Sequence, residues 1–129
     1  MVESTGKIII EPGLNVWPHE LKTAKALAAA GYTVEFIRRS NIYYEKTPDV
    51  RIGSNLWEIK APTSGKTDMI LKNLRRALHQ SSHVIFDSRR MKRLPNHAIE
   101  REVRLRADEL RSLKHLIYIN RHGEVVIIK

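Results

Sequence analysis

The dipeptide Gly53-Ser54 lies between two runs, Pro48–Ile52 and Asn55–Lys60, whose alternation most constrains this chain. Both runs read as short strands, and a two-residue turn between them fixes an antiparallel register. That register sets Ile52 against Asn55, Val50 against Trp57 and Asp49 against Glu58. Side chains alternate along a strand, so Val50, Ile52, Trp57 and Ile59 share one face, which is a core face. Asp49, Arg51, Glu58 and Lys60 share the other. Two carboxylates directly opposite each other are destabilising unless something neutralises them.

A hard divalent cation such as Mg²⁺ does so, taking oxygen ligands from Asp49, Glu58 and a backbone carbonyl. Lys60, on the same face, would then orient an attacking water and stabilise charge developing on a phosphoryl group. The plainer alternative is a solvated strand face on which Lys60 and Arg51 pair with the acids.

Around the hairpin the periodicity supplies further elements. Lys7–Ile10 reads as a strand or arm. Pro18 opens a helix with Leu21, Ala24, Leu27 and Ala28 on one side, ended by Gly31, and Tyr32–Ile37 alternates as a strand. After the loop Arg38–Lys46 and the hairpin, Thr67 and Asp68 open a helix with Ile70, Leu71, Leu74, Ala77 and Leu78 facing inward. His83–Asp87 is a strand, Ser88–Pro95 a basic loop, and Asn96 caps a helix carrying Ile99, Val103 and Ala107. Leu116–Ile119 and Val125–Ile128 close the chain as a hairpin. The order is α-β-β-β-α-β-α-β-β, an α/β sandwich with a mixed, mostly antiparallel sheet flanked by helices. With 129 residues and no repeat or linker, residues 1–129 fit one domain with 1–14 as an N-terminal arm.

A hydrophobic content of 42% excludes a mainly disordered chain. No apolar run approaches the ~20 residues a membrane span needs, and the first residues lack a signal-peptide pattern. The absence of cysteine removes disulfides, thiol nucleophiles and cysteine-bearing zinc sites. Net charge is +9, placed unevenly: residues 1–64 hold 8 Lys/Arg and 7 Asp/Glu, residues 65–129 hold 15 and 7. A near-neutral half joined to a +8 half suits a polyanionic partner, nucleic acid above all.

Pro48-Asp49 followed by Glu58-Ile59-Lys60 resembles the PD-(D/E)xK nuclease signature, whose superfamily has a restriction-endonuclease-like αβββαβ core. Its members often carry an acid on the first helix, where Glu20 stands, and a Gln on the helix after the signature, where Gln80 stands. The chain is also similar to the C-terminal nuclease domains of contact-dependent growth inhibition toxins and to domains ending phage minor head proteins. The similarity rests on Trp17-Pro18-His19-Glu20, Ala29-Ala30-Gly31-Tyr32, Thr47-Pro48-Asp49, Leu56-Trp57-Glu58-Ile59-Lys60, Ala77-Leu78-His79-Gln80-Ser81 and Val84-Ile85-Phe86-Asp87. It implies an endoribonuclease toxin acting on tRNA, delivered from another cell and acting in the cytoplasm it enters. Other toxins of the group are metal-dependent DNases, and some adopt a barnase-like fold and cleave without metal. On this resemblance Asp49 and Glu58 hold the metal, and Glu20 completes its shell or acts as base. A cognate immunity protein is expected, acidic to match the basic half, and the resemblance also allows a translation factor as partner. A non-catalytic nucleic-acid-binding module is the rival class.

Thr63-Ser64-Gly65-Lys66-Thr67 ends like a P-loop, but Lys60 stands where its first glycine must be; His19-Glu20 lacks the second histidine of HExxH. His19 is either an active-site group or a surface residue of the first helical turn. Asp87 is either a catalytic or metal-shell carboxylate or a partner for the arginines after it. Gln80 is either a polar site residue or a helix-end cap. Arg89, Arg90, Lys92 and Arg93, with Arg75, Arg76, Arg101 and Arg104 on the flanking helices, form the candidate phosphate-binding set, or a docking patch for an immunity protein. Trp57 is read as core; core or loop packing is favoured over base stacking for Trp17, Tyr43 and Tyr44.

Overall fold

The computed structural model of the protein describes residues 5–38 and 47–129, so Tyr43 and Tyr44 lie outside the described residues. The elements follow the expected order: β1 (Ile8–Ile9), α1 (Pro18–Ala29), β2 (Val34–Phe36), β3 (Val50–Ile52), β4 (Asn55–Lys60), α2 (Asp68–Ala77), β5 (His83–Asp87), α3 (Asn96–Glu109), β6 (His115–Ile119) and β7 (Val125–Ile127). The run α1-β2-β3-β4-α2-β5 is the αβββαβ order expected of the core. No helix among the described residues is long and apolar enough to cross a membrane.

The strands lie side by side in the order of the chain, β1 to β7. The pairs β1–β2, β4–β5 and β5–β6 are parallel, while β2–β3, β3–β4 and β6–β7 are antiparallel. The sheet is thus evenly mixed rather than mostly antiparallel, because α1, α2 and α3 each act as a crossover that returns the chain in the same direction. The expected arm is partly sheet: β1 pairs with β2 beside Gly6, where a Cβ would lie 1.7 Å from the Tyr32 carbonyl oxygen. Only glycine permits that approach. The central hairpin has the expected register, Val50 against Trp57 and Ile52 against Asn55, turning through Gly53 at φ +60° as a type II′ turn requires.

Each sheet face has its own core. Ala24 and Leu27 of α1 pack with Val50, Trp57, Ile59, Ile85 and Ile117. On the other face Ile70, Leu74 and Ala77 of α2 and Ile99, Val103 and Ala107 of α3 pack with Val84, Phe86, Leu116 and Tyr118. Strand alternation divides Ile85 from Val84 and Phe86, as it divides Ile117 from Leu116 and Tyr118. One assignment changes in detail: α3 is flanked by Pro95, and the Asn96 side chain makes no cap. The Asn96 Oδ1 instead accepts hydrogen bonds from Tyr118 Oη (3.1 Å) and the Arg121 amide (3.2 Å).

Candidate active site

β4 changes partners midway. Asn55, Leu56 and Trp57 pair with β3, whereas Glu58, Ile59 and Lys60 pair with β5. The handover occurs at Asp49. Its backbone N–H still reaches the Trp57 carbonyl at 3.1 Å, but its side-chain Oδ2 then accepts the Ile59 amide at 2.8 Å. A carboxylate has replaced a backbone rung of the ladder, and β3 leaves β4 there. The gap is a cavity of about 300 Å³ lined by Trp17, His19, Glu20, Asp49, Glu58, Lys60 and Asn73, among others.

Glu58 and Lys60 share the sheet face with Val84 and Phe86, their register partners. That face is not the open strand surface a solvated hairpin would have, because α2 packs over it. Glu58 is accordingly buried, with 7% of its surface exposed, and so is Asp49. Glu58 Oε2 lies 3.5 Å from Lys60 Nζ, and Oε1 is buried without a hydrogen-bond partner. Burial pushes the Glu58 carboxyl up to about 8; the Asp49 charge adds to the rise and Lys60 opposes it. Arg51 does not neutralise the pair, since it reaches across to Glu35 of β2 at 3.5 Å.

The donor set suits a hard divalent cation: two adjacent carboxylates, one with a buried oxygen lacking any partner. Asp49 and Glu58 would hold it. Glu20 is buried on α1 and lines the same cavity, but among the described residues no three carboxylate or imidazole groups converge as a cation cage.

His19 borders this cavity and a second one of about 190 Å³ lined with Lys22, Asp87, Arg89, Arg90 and Lys92. Burial first, and then the charge of Arg90, lowers the His19 pKa, which keeps the ring neutral at neutral pH. Arg90 lines the second space and reaches the edge of the first, its Nη1 donating to the Ala61 carbonyl at 3.0 Å. Asp87 is occupied: Oδ2 accepts from Thr23 Oγ1 and Arg89 Nη2, both at 2.7 Å, and Oδ1 from Arg89 Nε at 3.0 Å. Arg89 is therefore also committed, and donates further to the Lys22 carbonyl. Gln80 follows the end of α2 beside Ser81, whose hydroxyl donates to the Leu56 carbonyl at the start of β4. That is the opposite end of β4 from Lys60, and Gln80 lines neither cavity. Arg75, Arg76, Arg101 and Arg104 are exposed on α2 and α3 and line neither cavity; Arg104 pairs with Glu100 at 3.1 Å.

Two residues join the site without having been singled out for it, Asn73 and Lys22, and Trp17 joins it against the favoured expectation of packing. Asn73 comes from α2, one turn from Ile70, and its amide donates to the Met69 carbonyl at 2.8 Å. A lone polar residue on an otherwise apolar helix face was the available signal. Lys22 lines the basic cavity. Trp17, expected to be packed, stands 63% exposed at the cleft instead.

The family model for the contact-dependent growth inhibition CdiA C-terminal domain matches residues 46–125. No curated protein matches the chain. Among solved structures, a CdiA-CT/CdiI toxin and immunity complex from Burkholderia pseudomallei contains a chain of similar fold. The TM-score is 0.74 at 20% identity, over 96% of this chain and 99% of that one. The matched family region includes Asp49, Glu58 and Lys60, and the shared fold extends over the α1 side of the cleft as well. The chain belongs to the CdiA C-terminal domain family of contact-dependent growth inhibition proteins.

Proposed function

We propose that this domain is an endoribonuclease toxin that cleaves tRNA phosphodiester bonds in the cleft between β3 and β4. The observation that carries the reading is the buried Glu58, with Oε1 unpartnered, beside Asp49 and Lys60 in one cavity. A fold does not bury an unpartnered carboxyl oxygen next to another acid for stability's sake, which weighs against a merely solvated strand face. Lys60 orients the attacking group and stabilises the negative charge that grows on the phosphoryl oxygens. Glu20 and the neutral His19 are the candidate proton acceptors at the cavity wall. A divalent cation held by Asp49 and Glu58 would supply Lewis-acid polarisation of the phosphodiester. Lys22, Arg90 and Lys92 grip the phosphates that follow.

The toxin enters from another cell and acts in the recipient's cytoplasm. Its producer needs a cognate immunity protein, as in the complex whose toxin shares this fold. An acidic inhibitor covering the +8 half of the chain would gain a fast, steered association.

The test is to incubate the protein with total tRNA and with plasmid DNA, with and without EDTA, beside Glu58→Gln and Lys60→Ala. Wild-type protein is expected to cut tRNA, and each variant to lose on the order of 10²–10³ in rate. Near-wild-type turnover in both variants refutes the site. Plasmid cleavage alone makes the protein a metal-dependent DNase, and cleavage that ignores EDTA selects the metal-free route.

A further inference from the structure

Trp17 is the most exposed of the large hydrophobic residues described. It is held there by the backbone, as the residue preceding α1, with ψ 142° and Pro18 at the first helical position. Proline fixes its own φ and restricts the residue before it, so the indole stands on a pre-set support. Its ring lies nearly parallel to that of His19, with centroids 6.4 Å apart and planes inclined by 21°. The same indole lines the cavity of Asp49, Glu58 and Lys60. Through His19 that cavity adjoins the space lined by Lys22, Arg90 and Lys92.

An exposed π face on the wall of a carboxylate–lysine cleft, which His19 joins to a space lined by Lys22, Arg90 and Lys92, matches one ligand chemistry: a planar base carried on a phosphodiester. We infer that Trp17 is the base-stacking platform of the cleft and holds the nucleotide beside the scissile phosphate unstacked against its indole. A base inside a duplex is covered on both faces by its neighbours and has none to offer. The substrate class is therefore single-stranded or splayed nucleic acid, and continuous duplex is rejected. This inference rests on the cleft being where phosphodiesters bind.

The experiment uses the Lys60→Ala protein, which spares the probe, and follows tryptophan emission. The chain has two tryptophans, and Trp57 is 9% exposed, so a ligand that covers Trp17 changes the signal of the solvent-facing ring. A mixed-sequence ten-nucleotide RNA is titrated in single-stranded form and annealed to its complement. The single strand should quench the emission and bind more tightly than the duplex. Adding Trp17→Ala should weaken single-strand binding on the order of 10- to 100-fold with little change for duplex, and Trp17→Phe should retain most of it. Equal quenching by duplex, or unchanged binding in Trp17→Ala, overturns the inference. Emission indifferent to both RNAs also overturns it and leaves the indole to a protein contact. Should the wild-type protein cut no nucleic acid while single strands still quench Trp17, the cleavage reading fails and the stacking platform stands.

Discussion

Asp49 has two tasks at once, because its carboxylate replaces a backbone acceptor for the Ile59 amide and also sits against Glu58. The two tasks separate by substitution. Asp49→Asn keeps an oxygen for the Ile59 N–H and should fold normally while losing cleavage. Asp49→Ala leaves a buried donor unsatisfied and should cost a further ~1–3 kcal/mol of stability. Parallel denaturation and cleavage assays check this, and equal stability of the two variants would deny the ladder role. Asp49, Glu58 and Lys60 were legible in the sequence because a two-residue turn fixes their register locally. Trp17 and Asn73 were not, since their place depends on how α1 and α2 approach the sheet. Gln80 matched a family pattern, yet α2 ends at Ala77 and carries it to the far end of β4.

The elements most faithful to the sequence are β4 and β5, whose bounds match the alternation residue for residue. In sequence the loop from Ser88 to Pro95 presents Arg89, Arg90, Lys92 and Arg93 as one basic cluster, and packing sets them apart. Met91 is fully buried, Arg121 holds the Met91 carbonyl at 2.8 Å, and Arg89 is spent on Asp87. Replacing Arg90, Lys92 and Arg93 by Ala should weaken nucleic-acid binding and flatten its salt dependence without lowering the melting temperature. Arg89→Ala should chiefly destabilise, by ~1–3 kcal/mol, because it leaves the buried Asp87 oxygens without their guanidinium donors. An unchanged salt slope in the triple variant would show that the loop faces something other than phosphate. A second packing effect joins strands β4, β5 and β6: the Trp57 and His83 rings lie 5.0 Å apart, and those of His83 and His115 lie 4.7 Å apart. Burial, then the His115 charge, lowers the His83 pKa below 6.5. The folded chain therefore takes up fewer protons than the unfolded one as pH falls below about 6.5, and loses stability there. His115→Gln should lessen that acid sensitivity; thermal melts between pH 5 and 7.5 with the same slope in both proteins would contradict it.

At the scale of the molecule, the charge asymmetry and the family together give a test needing no substrate. Expression of the wild-type domain alone should arrest bacterial growth, Lys60→Ala should not, and harmless accumulation of the wild type would speak for a binding module. The charge imbalance was readable from composition, but the partition of strands was not, because the switch of β4 from β3 to β5 is a tertiary event. It has a consequence for timing. Strand order in space follows strand order in the chain, so each newly ordered strand finds its neighbour already beside it and order can grow from either end. Glu20 and Asp49 come with the β1–β3 side, whereas Asn73 belongs to the side that docks on β5. Neither half owns the cleft, so a chain in which only one side of β4 has ordered lacks part of the residues that line it. The site is complete only when β4 is paired along both of its edges, so the cleft reports on the whole sheet and not on either half of it.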